Sequence, residues 1–331
     1  MAGIQKLHHR ISLMGFLNRA LLLSLFFFPC GSHAAELKQL TLAYSSLGSM
    51  MPGVWMAKEI GAFEKYGLQA DLIYVAAGPV VVQALIGGDL QAGVAATNAV
   101  LAANLQGAPL VSVASVANRP AFMLWVHPEI NRLEDLRGKT LGVTRFGSAT
   151  HSLTLILLKK YKLEGAVKVR QLGGMPEVGA AFQQRAIAGA VTAALRVEAP
   201  TRMLLNLADM GLAYSMDVIA FSRDYYGRNP EVVEGVVRAY IEGVAALHNQ
   251  KEKALKTLAK YTRLKDSKML EDMYRDSTTY LERVPRVEPE AVRTLLQFMG
   301  KRDVPVETFA DNTIVDRLVK EGFVERLYQK R

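Results

Sequence analysis

The chain has 331 residues, half of them apolar, with a formal charge of +9 and a single cysteine. That length and apolar content suffice for a large core and point to two domains. One cysteine excludes an intrachain disulfide, and basic residues scattered along helices, rather than clustered with aromatics, argue against a nucleic-acid groove.

The first 34 residues read as a leader. Lys6, Arg10 and Arg19 supply positive charge, residues 20–28 (ALLLSLFFF) are uncharged and nearly all apolar, and small residues follow at Gly31, Ser32, Ala34 and Ala35. This is the order of a secretory signal peptide, with cleavage expected after Ala34 and the periplasm as destination. A spanning helix would need about 20 apolar residues. Residues 1–34 hold three of the basic charges and no acid, so the exported chain keeps +6 of the +9. Cys30 lies on the removed side, and Pro29 before it speaks against a lipid-modified cysteine. The exported chain then has no thiol for catalysis, metal binding or crosslinking. A mild positive field suits anionic small molecules or simply solubility. Residues 90–118, the longest uncharged stretch, are interrupted by Gln91, Asn98, Asn104, Gln106 and Pro109 and read as strand, helix, strand rather than as a membrane span.

Beyond the leader, apolar strands alternate with helices of about ten residues, the pattern of a parallel sheet covered on both faces. LTLAYS (40–45) is a strand. PGVWMAKEIGAFEKYG (52–67) is a helix with a first-turn proline and glycines where it should stop. Strand 70–76, helix 79–87, strand 92–96, helix 97–107 and strand 110–117 follow. The pattern restarts with TLGVTRF and a helix over 152–161, then strand 166–173, helix 176–189, strand 190–195 and a helix over 198–211. From Asn229 on the chain is almost all helix; Asn229-Pro230-Glu231 supplies a cap, a first-turn proline and an acid at the positive helix end. Two extended runs, 120–128 and 215–222, flank the middle unit, and two crossings there would make a hinge pair.

In an open parallel sheet, ligands bind beyond the carboxyl ends of the strands, where helices begin. Four such turns stand out: Ser45 to Met51, Thr97-Asn98, Gly147-Ser148-Ala149-Thr150, and Thr192 with Arg196. Each joins hydroxyl or amide side chains to a helix N-terminus, which favours an anion. Plain helix capping explains each turn equally well. Ser148 lacks the small residues that a catalytic elbow needs two positions to either side, since Phe146 and Thr150 stand there. The exported chain offers only His127, His151 and His248 as bases, and no phosphate loop or HExxH motif occurs. Neither a metal nor a cofactor is expected. Arg119 and Arg145 have the fork that suits carboxylate, sulfonate or phosphate, or they are surface ion pairs. Tyr44, Trp55, Met50, Met51 and Phe146 either wall an apolar pocket or belong to the core.

Residues 56–78 (MAKEIGAFEKYGLQADLIYVAAG), 84–95 (ALIGGDLQAGVA) and 136–150 (LRGKTLGVTRFGSAT) closely resemble the nitrate/sulfonate/taurine-type substrate-binding proteins of ABC importers, within the thiamine-pyrimidine-synthase-like superfamily. The resemblance implies a type II periplasmic-binding-protein fold: two α/β domains with mainly parallel sheets joined by a two-crossing hinge. Residues 35–119 and 220–331 would form domain 1, and 120–219 domain 2 with both crossings. It further implies a monomeric, non-enzymatic protein that captures a small organic anion and presents it to an inner-membrane permease. Ligand contacts carried over by position are Ser45, Ser46, Thr97, Asn98, Asn118 or Arg119, Ser148, Ala149 and Thr150, joined by Met50, Arg145 and Thr192 from the residue reading. Thr192 departs from relatives, which often carry an acid in that strand. Alternatives are a binder of a pyrimidine-like aromatic, a pyrimidine-synthase-like enzyme, whose cysteine-rich motif is absent here, and a solute sensor for a membrane kinase.

Overall fold

The computed structural model describes residues 36–193 and 197–329. The expected leader with Cys30, and Arg196, lie outside the described residues. The strands are β1 (Lys38–Tyr44), β2 (Leu68–Tyr74), β3 (Ala92–Ala96), β4 (Leu110–Ser115), β5 (Met123–Val126), β6 (Thr140–Val143), β7 (Lys168–Gln171), β8 (Gly189–Thr192), β9 (Arg202–Asn206) and β10 (Asp217–Ser222). They form two five-stranded sheets, ordered β2-β1-β3-β10-β4 and β7-β6-β8-β5-β9.

Both sheets have the same plan. Three neighbouring strands run parallel, and one antiparallel strand, β10 in the first sheet and β5 in the second, sits between them and a last edge strand. The sheets are thus mainly parallel, as the alternation of strand and helix requires. In each lobe the reversed strand is the first one laid down after the chain crosses over. The extended runs 120–128 and 215–222 therefore supply inner strands, and the chain passes between the lobes just before each of them.

Helices follow the parallel strands: α1 (Pro52–Glu59), α2 (Ala62–Lys65), α3 (Gly78–Gly87), α4 (Thr97–Leu105), α5 (Ala149–Lys160) and α6 (Met175–Gln183). The helix expected over 52–67 is broken in two at Gly61, whose φ of 71° lies in the left-handed region. A second difference concerns 198–211, which is not a helix but β9 followed by a 3-10 turn over Leu207–Met210. The short apolar run there fits either period, and β5 needed an edge partner; Met123 pairs with Asn206 and Val126 with Arg202.

The C-terminal third is helical: α7 (Arg223–Arg228), α8 (Pro230–Asn249), α9 (Lys251–Thr262), α10 (Ser267–Tyr280), α11 (Pro289–Phe298), α12 (Thr313–Lys320) and α13 (Phe323–Tyr328). Helix α8 is buried along most of its length, with Val233, Val236, Val237, Tyr240, Ile241 and Val244 in the core. It crosses α1 at backbone distance. A Cβ on Gly243 would lie 2.1 Å from the Gly53 carbonyl oxygen and 2.7 Å from the Ala57 nitrogen. Glu242, the buried acid of α8, is held by the Lys65 ammonium and the Tyr66 hydroxyl. Among the described residues no helix is long and apolar enough to cross a membrane.

The two crossings are tied together. The N–H groups of Tyr214 and Met216 donate to Asn118 and Ala117 carbonyls at 3.0 and 2.9 Å, and the Val116 N–H donates to the Asp217 carbonyl at 2.8 Å. On the other side the strap between α10 and α11 binds the same stretch. Ser115 N–H reaches the Pro285 carbonyl at 2.8 Å and Glu282 N–H the Val116 carbonyl at 3.0 Å. Asp217 opens β10 beside this ribbon, and burial pushes its carboxyl from 3.8 up to about 7.

Two outcomes are expected. Gly243→Ala forces backbone apart at the α1–α8 crossing and should cost about 2 kcal/mol of stability, read as a melting temperature lower by about 4 °C or more. Asp217 stays protonated in the folded chain to higher pH than in the unfolded one. Its contribution to stability is therefore full below the ordinary value of 3.8 and is lost as pH rises to about 7. Denaturant titrations across that window should show Asp217→Asn gaining on wild type as pH rises; a constant difference would contradict this.

Candidate functional site

The carboxyl ends of the parallel strands in both lobes point at a common junction, and the helices that follow them present their N-termini there. In the first lobe, β1 ends in Tyr44, whose ring packs edge-on against Trp55 at 5.6 Å and tilted against Tyr74 at 5.8 Å. Tyr261 stacks on Trp55 at 5.1 Å. Ser45 is buried, and its carbonyl accepts the Ala77 N–H at 3.0 Å. Ala77 is left-handed with φ 71°, a strained geometry for a side-chain-bearing residue. It is over-determined by Gly78, where a Cβ would lie 2.8 Å from the Ala96 nitrogen. The start of α3 is thereby pressed against the end of β3.

Of the other first-lobe candidates, Ser46 accepts the Gly48 N–H at 3.3 Å in a local turn, and Met50 is buried in the core. Thr97 braces the start of α4: its hydroxyl shares a hydrogen bond with Ser215 at 2.9 Å and its N–H donates to the Met216 carbonyl at 3.0 Å. Asn98, the next residue, crosses to the other lobe. Its Nδ2 donates to the Gly147 carbonyl at 2.6 Å and makes a long contact of 3.5 Å with the Ser148 carbonyl.

In the second lobe, the turn between β6 and α5 is built on a triangle of hydroxyls. Thr144 lies 3.0 Å from Ser148 and 3.1 Å from Thr150, and Ser148 lies 2.8 Å from Thr150. The Thr144 N–H donates to Thr150 Oγ1 at 3.0 Å, and Ser148 caps α5 by accepting the His151 N–H at 3.3 Å. His151 accepts the Gly147 N–H through Nδ1 at 3.1 Å, so it is not placed to take a proton from Ser148. Burial lowers its pKa. The geometry is that of a fixed helix start, not of a nucleophile. Ala149 is buried at the first position of α5. Phe146 is half exposed and leans on the His151 ring at 5.0 Å, while Arg145 is exposed. Thr192 ends β8 with its hydroxyl 3.6 Å from the Met175 sulfur at the start of α6, and its carbonyl accepts the Trp125 Nε1–H at 3.2 Å.

The two walls touch. Beyond the Asn98 bridge, Pro79 packs over Gly147, its Cγ 3.5 Å from where a Cβ would stand. The Tyr74 hydroxyl lies 3.8 Å from the corresponding point on Gly174, at the N-cap of α6. The starts of α3, α4, α5 and α6 thus meet at one junction. Tyr74, Pro79, Thr144 and Gly174 belong to it although sequence reasoning singled out none of them. The double glycine before Met175-Pro176 was the available signal for the last, since Gly174 N–H also donates to Glu177 Oε2 at 2.8 Å.

The side chains of Asn118 and Arg119 find their partners in the C-terminal helices and the strap between them. Asn118 spends its side chain on the strap, donating to the Arg286 carbonyl at 2.8 Å and accepting from Glu288 N–H at 3.4 Å, while its N–H donates to Glu282 at 3.0 Å. Arg119 donates to the Thr279 carbonyl at 2.5 Å and lies over the Tyr280 ring at 5.0 Å, at the negative end of α10. A separate cavity of about 290 Å³, lined by His127, Glu129, Lys139 and Arg185 among others, opens at the opposite strand ends of the second sheet. Within it Arg185 donates to Glu129 at 2.5 Å. Among the described residues no three of His, Cys, Asp and Glu come together as a metal site.

Comparison with known proteins agrees with this architecture. The alkanesulfonate-binding protein SsuA from Xanthomonas axonopodis pv. citri, solved with MOPS bound, superposes with a TM-score of 0.71 at 22% identity, over 84% of this chain and 100% of that one. The periplasmic aliphatic sulphonate binding protein SsuA from Escherichia coli gives 0.65 at 21% identity, over 89% and 92%. The periplasmic nitrate-binding protein NrtA from Synechocystis PCC 6803 gives 0.66 at 11% identity, over 86% and 89%. The two repeated sheets are accordingly the periplasmic-binding-protein fold that the motifs implied. No curated protein matches the sequence. The family model described as NMT1/THI5 like matches residues 50–254, more than half of the chain, and the chain therefore belongs to the NMT1/THI5-like family.

Proposed function

We propose that this chain is the solute-binding component of an ABC importer, enclosing a small organic anion between its two lobes without transforming it. The observation that carries the reading is the meeting of helix N-termini from both lobes, α4 and α5, across the Asn98–Gly147 bridge. Each helix start presents N–H groups with no intrahelical acceptor and about half a positive charge. Helix starts from both lobes aimed at one junction favour an anion without a side-chain cation. Ser45, Ser46, Thr97, Asn98, Ser148, Ala149, Thr150 and Thr192 surround the solute in this reading, and Arg145 stands at its rim. Fold similarity to sulfonate- and nitrate-binding proteins supports the same chemistry.

Capture follows from closure. Residues 35–119 with 220–331, and 120–219, turn as two bodies about the paired crossings, and the liganded closed form is favoured by its higher affinity. The protein works as a periplasmic monomer after loss of its leader and hands the solute to an inner-membrane permease. One observation favours a second ligand class. Tyr44, Trp55, Tyr74 and Tyr261 form an aromatic cluster at the ends of β1 and β2, and Tyr74 is 39% exposed, a ring face on which a pyrimidine-like solute could stack.

Thermal melts of the purified protein with alkanesulfonates, carboxylates, nitrate and an aminopyrimidine separate these readings. A ligand at a hundredfold excess over its Kd stabilises by about 2.7 kcal/mol. Stabilisation by anions is expected; stabilisation by the pyrimidine alone would replace the anion reading, and none at all would sink both. Changing Ser148 and Thr150 together to alanine should weaken binding about tenfold while the far-UV circular dichroism is kept; undiminished affinity would leave them as helix caps.

A further inference from the structure

The outer face of the α9–α10 hairpin carries positive charge that the fold does not use. Residues 251–268 hold seven basic residues and two acids, Glu252 and Asp266. Lys253, Lys256 and Lys260 of α9, and Arg263 at its C-cap, follow one another at spacings of three, four and three residues. That spacing sets all four in one stripe, on the side away from the buried Ala254 and Leu258, with Glu252 at its margin. Lys260 reaches Glu59 at 2.8 Å. Lys253, Lys256, Arg263, Lys265 and Lys268 are exposed, and among the described residues none of them forms an ion pair. Two of these cations are held against local preference. Arg263 caps α9 in the left-handed region, with φ 57°, where glycine is the usual choice. Lys268 lies in the first turn of α10, at a positive helix end, and no acid stands in that turn. Met269 beside it is 37% exposed, and Asp266 is occupied in capping the helix, accepting the Met269 N–H at 2.7 Å.

We propose that this face docks the protein on a membrane surface, its cations set against the anionic headgroups of a phospholipid bilayer. The stripe from Lys253 to Arg263 runs about 15 Å along α9, and Lys265 and Lys268 extend it around the hairpin tip. Four of the five unpaired cations are lysines, mobile point charges that suit a fluid layer of headgroups. Fixed carboxylates on an acidic protein face are matched better by arginine forks, of which the stripe has one. Met269 at the tip adds a small apolar group able to enter the headgroup layer. The inference rests on the reading above that the chain serves an inner-membrane permease. Docking would hold a protein without an anchor beside that permease, and the solute junction takes no part in it.

The test is co-sedimentation of the purified protein with mixed phosphatidylglycerol–phosphatidylcholine vesicles, against vesicles of phosphatidylcholine alone. Binding to the anionic vesicles only is expected. It should disappear as ionic strength rises from about 0.01 M to about 1 M, which shortens the Debye length from about 30 Å to about 3 Å. Changing Lys253, Lys256, Lys265 and Lys268 together to glutamine should weaken it about a hundredfold or more. A charge-matched control, with the exposed Lys168, Arg170, Lys301 and Arg302 changed to glutamine, should sediment much as wild type does. An equal loss in that control would reduce the effect to overall charge and overturn docking by this face. Failure to bind anionic vesicles would overturn it as well. Retention of the wild type, but not of the hairpin variant, on polyglutamate beads would then assign the stripe to an acidic protein face. Solute-dependent melting is read on the same samples. Vesicle binding lost with the solute response kept strikes the docking inference alone, and the reverse strikes the solute-binding reading.

Discussion

Residues 115–118 run as the middle ply of a ribbon, hydrogen-bonded to 214–217 on one side and to 282–286 on the other. The lobes are covalently joined only through this region, and the strap from the C-terminal helices grips the same ply. A chain that must leave one sheet, build a second and return has its reversed strands decided by that route. Both β5 and β10 are laid down on arrival from the other lobe, and both run against their neighbours. The repeated sheet order follows from the crossings rather than from any repeat visible in the sequence.

The ribbon also accounts for the partners of two candidate residues. Asn118 and Arg119 close a strand and carry the side chains an anion would want, so a local reading puts them in the cleft. Their partners, Thr279, Tyr280, Glu282 and Arg286, lie more than 150 positions further along the sequence. Only the return of the C-terminal helices brings those groups into reach, and no spacing rule in the sequence announces it. The same limit applied to residues 198–211, where an apolar run of ambiguous period became a strand because β5 lacked an edge partner. By contrast, the strand-to-helix turns were legible. Thr97, Asn98, Ser148 and Thr150 follow short apolar runs and precede helical periodicity, and local chemistry alone fixes them as helix starts.

What local chemistry could not decide was whether those hydroxyls cap or bind. The structure assigns them unequally. The Thr144, Ser148 and Thr150 hydroxyls saturate one another, and Thr97 is taken by Ser215. Their first duty is to hold helix starts in fixed positions, which pre-orients backbone N–H groups and the helix dipole without reorganisation. Asn98 differs because its carboxamide is only half used. The sequence lists it beside Thr97 as an equal, and only the partner count separates them.

The energetics of the junction make closure conditional. On the proposed reading the positive helix ends at the junction oppose the approach of the lobes, with the start of α6 already held by the Glu177 carboxylate. Against them stands the Asn98–Gly147 hydrogen bond, a neutral amide–carbonyl pair of the kind that contributes about 0.5–1.5 kcal/mol. Moving a two-state equilibrium from 1:99 to 99:1 takes about 5.5 kcal/mol. The bridge falls well short of that, and the contacts of Pro79 on Gly147 and of Tyr74 on Gly174 are small. In that reading an anion between the helix ends turns their mutual repulsion into attraction and supplies the difference. On the proposed reading, then, the positive junction is both the binding determinant and the spring that keeps the unliganded lobes apart.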